Sequence, residues 1–173
     1  IKALDHQYVM QSYGRFDVAV DHGRGATLWD TQGREYIDFT SGIGVCSLGY
    51  ADEGWVNAIT EQAGKLGHIS NLFYAEPYVK AAEKLCRKAG MSNVFFANSG
   101  AEANEGQIKL ARKYAVDHGH PERYVVVSML KSFHGRTLAT ATATGQEIVH
   151  NPKWFSPLPE GFRYAEFNNL ESV

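Results

Sequence analysis

The stretch Val94-Phe95-Phe96-Ala97-Asn98-Ser99-Gly100-Ala101-Glu102-Ala103-Asn104-Glu105 constrains the fold more than any other part of the chain. An apolar run of strand formers stops at Asn98, and a helix-prone segment starts at Gly100. Ser99 stands at the junction with Glu102 three positions on, the spacing of a capping box. The predicted arrangement is a strand, a turn containing glycine and a capped helix. A helix entered this way presents backbone N–H groups that have no intrahelical partner, together with the positive end of the helix dipole. Both suit a phosphate. The same residues also suit an ordinary strand–turn–helix whose donors are met by Ser99 and water, so the motif alone leaves two readings open.

The helix predicted from Gly100 to about His118 is the longest in the chain. Ala101, Asn104, Ile108, Ala111 and Ala115 fall on one stripe, and Glu105 and Lys109 have the spacing of a favourable i,i+4 pair. Tyr124-Val125-Val126-Val127 is a continuous apolar run, as expected of a strand buried on both faces. A third strand is predicted near Phe162-Arg163-Tyr164-Ala165. Upstream, Asp52 can cap a helix running to about Gly64, with Trp55, Ile59 and Ala63 recurring every four residues. A second helix from about Pro77 carries Val79, Ala82, Leu85, Cys86 and Ala89 and ends at Gly90. Helices alternating with such strands predict an α/β sheet with parallel strands.

Before them, residues 4–13 suit a short helix or arm, and Val18-Ala19-Val20 a brief strand. Alternating apolar residues in 25–30 and 34–39 flank Thr31-Gln32-Gly33, a hairpin signal. The segment 40–50 holds three glycines among small residues, which fits an irregular connection or a pocket lining. Two or three strands with their helices do not close a doubly wound sheet. The chain of 173 residues starts at Ile1 without a methionine and stops at Val173 in mid-pattern. It is therefore expected to be the front part of a larger domain. The expected division is 1–50 for the arm and hairpin and 51–173 for the first part of the main domain.

The formal charge of −2, with no run of like charges, makes no case for nucleic acid or an anionic membrane. Cys46 and Cys86 belong to no CxxC pair and no His/Cys cluster at zinc spacing, which fits two free thiols in a reducing cytosol. No stretch has the length of a membrane span, and the N-terminal residues lack signal-peptide character. His118 and His120 flank Gly119 at a helix end and need no metal.

Ser132-Phe133-His134-Gly135-Arg136-Thr137 follows the valine-rich strand, and open α/β sheets place ligands at the carboxyl ends of their strands. Arg suits bidentate recognition of a carboxylate, and Phe can stack on a flat heteroaromatic ring. Taken singly, each of Phe133, His134 and Arg136 also has an ordinary structural role open to it.

Two of these motifs, in this order and at this distance, resemble the class III pyridoxal-phosphate-dependent aminotransferases. They are 98–105 with its continuation Ile108-Lys109-Leu110-Ala111-Arg112-Lys113-Tyr114, and Ser132-Phe133-His134-Gly135-Arg136-Thr137-Leu138-Ala139-Thr140. The segments 36–45 and His68-Ile69-Ser70-Asn71 fit as well, and within the family the acetylornithine type matches best. The resemblance covers nearly the whole chain. It departs after Leu48-Gly49, where the family's His-x-His-Pro run is replaced by Tyr50-Ala51-Asp52-Glu53.

The resemblance implies a fold: the N-terminal part of an aspartate aminotransferase-like, fold type I large domain, preceded by an arm and hairpin belonging to the small domain. It also implies site roles. Gly100 and Ala101 would offer backbone N–H groups to the phosphate of pyridoxal 5'-phosphate, helped by the Ser99 hydroxyl. Phe133 would stack on the pyridine ring, and Arg136 would hold the substrate α-carboxylate. Ile43 falls where ornithine aminotransferases tend to carry a tyrosine, and Glu105 keeps a structural role. The implied reaction moves the distal amino group of N-acetylornithine to 2-oxoglutarate, in arginine biosynthesis. The alternatives are another ω-amine donor (succinylornithine, ornithine, 4-aminobutyrate or an acetyl-lysine-pathway substrate) or a non-catalytic binding module. The Schiff-base lysine and the acidic partner of the pyridine nitrogen are expected beyond Val173, so no catalytic residue is assigned in this chain. The family further implies a cytoplasmic homodimer, with Ser70-Asn71 near the subunit boundary.

Overall fold

The computed structural model describes residues 1–151, 153–154 and 156–173, which form two compact units, Ile1–Ala75 and Glu76–Val173. The first holds a short helix, α1 (Lys2–Tyr8), and three antiparallel strands in the order β1 (Val20–Arg24), β2 (Thr27–Asp30) and β3 (Glu35–Ile37). Leu28 is the register centre, facing Gly23 on one side and Tyr36 on the other. The hairpin expected around Thr31-Gln32-Gly33 is thus present, joining β2 to β3.

Its turn is built on one carboxylate. Asp30 is 4% exposed and accepts from the Gln32 and Arg34 amides (2.9 Å each), Arg34 Nε (2.7 Å) and the Tyr36 hydroxyl (3.0 Å). Burial by itself would raise the Asp30 pKa. These donors outweigh it and hold the carboxyl well below its ordinary range. The same burial, with Asp30 as acceptor, pushes the Tyr36 hydroxyl up.

Asp38 fastens the next segment. It accepts from Thr40 Oγ1 (2.6 Å), the Tyr50 hydroxyl (2.7 Å) and the Thr40 amide (2.7 Å). These bonds lower its pKa to about 2, and as their acceptor Asp38 raises Tyr50 to about 12. Tyr50 replaces the first histidine of the family pattern, and its backbone also bridges Gly25 in both directions (2.8 and 2.9 Å). Between these anchors lies a single turn, α2 (Ser41–Gly44), whose Gly42 and Ile43 have left-handed backbone angles. A β-branched residue at φ 63° is strained.

A carboxyl with a depressed native pKa contributes stability that is fully present above its unfolded value, about 3.9, and lost as pH falls through the native value. For Asp38 that window runs from about pH 4 down to about pH 2. Urea unfolding repeated across this range should therefore show a shallower loss of stability on acidification in Asp38→Asn than in the unmodified protein. Equal slopes would contradict the assignment.

The unit is completed by α3 (Glu53–Lys65), capped by Asp52, whose side chain accepts from the Trp55 amide. The second unit contains α4 (Glu76–Ala89), α5 (Gly100–Asp117), β4 (Val126–Met129), α6 (Leu138–Ala143), β5 (Phe162–Ala165) and a closing 3-10 turn, Leu170–Ser172. Strands β4 and β5 are parallel, with Val126 opposite Phe162 and Met129 opposite Ala165. The predicted strand at 124–127 is thus displaced by two residues, because the register with Phe162 starts the ladder at Val126.

The expected strand at 94–97 does not form. Two of its side chains still touch helices: Phe95 lies over Gly106 of α5, and the Phe96 ring packs on Tyr78 of α4 at 4.9 Å. Strand structure also requires a backbone ladder, and among the described residues none bonds to this segment.

Helix α6 has no counterpart in the sequence reading. Thr137 caps it in a reciprocal capping box with Thr140. Thr142 and Thr144 return their hydroxyls to the carbonyls of Leu138 (2.7 Å) and Thr140 (2.9 Å). With its own hydroxyls satisfied this helix buries Thr140 to Ala143 while Leu138 stays exposed, and Ser128 Oγ (to Ala143 O, 2.7 Å) and Tyr164 Oη (to Thr142 O, 2.5 Å) tie both strands to it.

Among the described residues the buried apolar side chains are few: Ala141, Ala143, Phe162 and Ala165. Accessible surface totals 14500 Å², whereas even two separate compact domains of half the mass would expose only about 10,000 Å². The apolar stripes of α3 and α4 (Trp55, Ile59, Val79 and Leu85) are about half exposed. These faces are patterned for burial that neither unit supplies by itself.

Candidate functional site

The predicted site residues Ser99, Gly100, Ala101, Phe133 and Arg136 all belong to the second unit. Ser99 has extended backbone angles and accepts from the Glu102 amide at 3.2 Å, which makes it the N-cap of α5. The capping box is shifted by one residue: the Glu102 carboxylate accepts from the Asn98 amide at 2.7 Å rather than from the Ser99 amide, and from Ser99 it accepts only the hydroxyl, at 3.5 Å. The Gly100 and Ala101 amides head a helix of 18 residues and have no intrahelical acceptor. Among the described residues nothing else accepts from them.

The second motif folds directly onto this helix end. Gly135 sits so close that an added Cβ would lie 2.7 Å from Ala101 Cβ, 2.7 Å from Thr140 Oγ1 and 3.0 Å from Ala101 Cα. Its φ of 128° is open only to glycine. Three side chains hold the loop. Asn104 Nδ2 donates to His134 O (2.8 Å), Thr137 Oγ1 donates to Glu105 Oε1 (2.6 Å), and Thr144 Oγ1 accepts from the His134 amide (2.9 Å). The i,i+4 pair expected between Glu105 and Lys109 does not form among the described residues; the Thr137 hydroxyl, delivered by the loop, takes that carboxylate instead.

Asn104, Thr137, Thr140 and Thr144 are functional supports that sequence reasoning missed. Asn104 and Thr137 lie inside quoted motifs, yet partners 30 and 32 residues apart leave no periodic trace.

Phe133 is 57% exposed. The Arg136 guanidinium lies over its ring, 5.1 Å from the centroid, a cation–π contact. The loop therefore presents one flat ring and one planar cation beside a helix end with spare donors. Chemically, this set can hold a phosphate, stack a heteroaromatic ring and pair with a carboxylate. The close approach of Gly135, which any Cβ would obstruct, brings the loop backbone against the first turn of α5. These residues fit a flat, phosphorylated cofactor. No group of three or more His, Cys, Asp or Glu among the described residues could hold a metal, and no described helix is long and apolar enough to cross a membrane.

The architecture is that of the N-terminal part of a pyridoxal-phosphate-dependent aminotransferase: a hairpin-bearing segment, then an α/β unit whose long helix opens on unpaired amides. The ornithine aminotransferase of Toxoplasma gondii, in a structure described as having partial occupancy of PLP at the active site, superposes with a TM-score of 0.90 at 29% identity, over 99% of this chain and 40% of that one. The family model for class III aminotransferases matches residues 8–172, and the chain belongs to that family. It is 50% identical to the acetylornithine aminotransferase of Haemophilus ducreyi over 172 residues and 52% identical to that of Wolinella succinogenes over 174. Each alignment covers 99% of this chain and 43% of the relative, so the chain spans about two fifths of the length of these proteins. The family is pyridoxal-phosphate-dependent, in keeping with the donor set at the α5 terminus.

Proposed function

We propose that this chain carries the cofactor-phosphate and substrate-carboxylate portion of an aminotransferase that moves the distal amino group of N-acetylornithine to 2-oxoglutarate. The observation that carries the choice of donor is the identity of about half to two acetylornithine aminotransferases over nearly the whole chain. In this reading residues 1–50 belong to the small domain and 51–173 open the large one. The protein serves arginine biosynthesis in the cytoplasm as a homodimer, with amino-acid and 2-oxo-acid substrates and no nucleic-acid or membrane partner.

Pyridoxal phosphate, when bound, supplies the electron sink for breaking the bond next to the transferred nitrogen. The amides of Gly100 and Ala101 hold its phosphate at the positive end of α5, and the Ser99 hydroxyl assists while capping the helix. The Glu102 carboxylate stands in the same turn, and its bond from the Asn98 amide ties it to the side of the junction before the helix. Phe133 covers one face of the pyridine ring and keeps water from it. Arg136, resting on Phe133, receives the α-carboxylate of the amino donor and then that of the oxo acid. Fixing that carboxylate directs the distal amine towards the cofactor.

None of Lys109, Lys113 and Lys131 belongs to the family's Schiff-base motif, and the reacting lysine is assigned to the part of the protein beyond Val173. The 173-residue segment by itself should therefore develop no visible absorption band on addition of pyridoxal phosphate that borohydride fixes to one specific lysine. Such a band would refute this assignment. The donor is tested on the full-length protein with N-acetylornithine, succinylornithine, ornithine and 4-aminobutyrate. N-acetylornithine should be used with the highest kcat/KM, and equal use of 4-aminobutyrate would overturn that choice.

A further inference from the structure

The loop between β4 and α6 is fastened to α5 at three places: the His134 carbonyl on Asn104, Gly135 against Ala101, and Thr137 on Glu105. Arg136 stands between the last two, with its side chain exposed. Ala101 and Glu105 are four residues apart, hence on one face of α5 and about 6 Å apart along its axis. By charge alone Glu105 is badly placed. It lies partly buried one turn from amides that suit an anion, where a negative charge opposes the binding of phosphate and carboxylate alike. Its presence there needs a role that outweighs this repulsion.

The hydrogen bonds supply one. A carboxylate only accepts, so the Thr137 hydroxyl commits its single proton to Glu105 Oε1 at 2.6 Å. In the 2.7 Å contact between the Thr137 and Thr140 hydroxyls the donor is therefore Thr140, whose side chain is fully buried. Thr140 Oγ1 in turn accepts from the Thr137 amide at 3.1 Å. The chain of donors thus runs one way, from Thr140 through Thr137 to the Glu105 charge. A bond that ends on a charge is about twice as strong as a neutral one.

We propose that Glu105 is a positioning residue for substrate-carboxylate recognition: by holding Thr137 it fixes where Arg136 stands relative to the Gly100 and Ala101 amides. The inference rests on the carboxylate reading of Arg136 above. A long side chain on a loop depends for its aim on the backbone that carries it, and a bidentate contact tolerates little misplacement. One helix, α5, sets both the phosphate donors and the anchor beside the guanidinium. Without the Glu105 bond, the Gly135–Ala101 approach and the Asn104 bond remain. The cofactor side then keeps its geometry while Arg136 loses its own.

The test uses the full-length protein with pyridoxal phosphate, the amino donor it uses best and 2-oxoglutarate, with Arg136→Ala as reference. Glu105→Ala should lower kcat/KM for both substrates by about tenfold to thirtyfold, yet bind pyridoxal phosphate within about threefold of the parent. Glu105→Gln keeps an oxygen acceptor at the same reach without the charge, and should stay within about threefold for both substrates. Glu105→Met, of similar length and with no such acceptor, replaces the alanine variant if that one does not fold. Thr137→Val removes the same bond from its other side, so the double substitution with Glu105→Ala should lose no more than the larger single loss. If Glu105→Ala uses both substrates within about twofold of the parent, or better, the carboxylate acts only as a charge and the proposal is overturned. Equal losses of substrate use and cofactor affinity would mark a general support of the fold and overturn it too. Unchanged substrate constants in Arg136→Ala would instead overturn the carboxylate reading, and this inference with it.

Discussion

Replacing Arg136 by alanine in the full-length protein should lower kcat/KM for both the amino donor and the oxo acid by roughly two to three orders of magnitude, leaving the absorption spectrum of the bound cofactor intact. A charge-assisted bidentate contact to a carboxylate, lost in a partly closed site, is worth about 3–4 kcal/mol. The loss falls on both half-reactions because one guanidinium serves both carboxylates in turn. Arg136→Lys should recover little, since a point charge replaces neither the planar fork nor the stacking on Phe133. Steady-state kinetics with each substrate varied separately, beside a spectral titration with pyridoxal phosphate, decide the matter. Loss of cofactor binding with unchanged substrate constants would show that Arg136 serves the cofactor instead.

The second large effect is expected at Gly135. In Gly135→Ala the new methyl group would stand 2.7 Å from both Ala101 Cβ and Thr140 Oγ1, with Ala101 Cα at 3.0 Å. The backbone there also has φ 128°, which alanine adopts only under strain. Overpacking and backbone strain each cost roughly 1–3 kcal/mol. The contact has little room to relax, because it lies between the first turn of α5 and the cap of α6. The substitution should destabilise the protein by about 2–6 kcal/mol. It should also weaken pyridoxal phosphate binding more than tenfold, because the loop is pushed away from the Ala101 amide. Urea unfolding and a cofactor titration read these two effects separately. A change in stability below about 0.5 kcal/mol, the ordinary range for surface substitutions, would mean the close approach to Ala101 is not made.

The main elements, and the cap that heads the candidate site, could be read from the sequence for a common reason: each has a local cause. The Asp52 and Ser99 caps, the hairpin around Gly33 and the parallel strand at Phe162 are written within a few positions of where they act. Helix α6 was not legible because Leu-Ala-Thr-Ala-Thr-Ala has no apolar stripe and alternates as a strand would. It is helical because Thr137 and Thr140 cap it and its threonines bond back to their own carbonyls. The segment 94–97 failed in the opposite sense, having strand composition without a ladder among the described residues.

At the site, the helix end and the Phe–His–Gly–Arg loop were each visible, but their junction was not. Contact between Gly135 and Ala101, and the bonds from Asn104 and to Glu105, join residues about thirty positions apart, and only tertiary structure records them. His134 was noted in the motif as a residue with an ordinary structural role open to it. Among the described residues its Nε2 is buried without a hydrogen-bond partner, which only the tertiary structure records.

The central claim is that the N-terminus of α5 holds the phosphate of pyridoxal phosphate. A crystal structure of the full-length protein with the cofactor bound tests it most directly. The account predicts phosphate oxygens within hydrogen-bond distance of the Gly100 and Ala101 amides and the pyridine ring over Phe133. A phosphate bound elsewhere, with those two amides facing water, would contradict it.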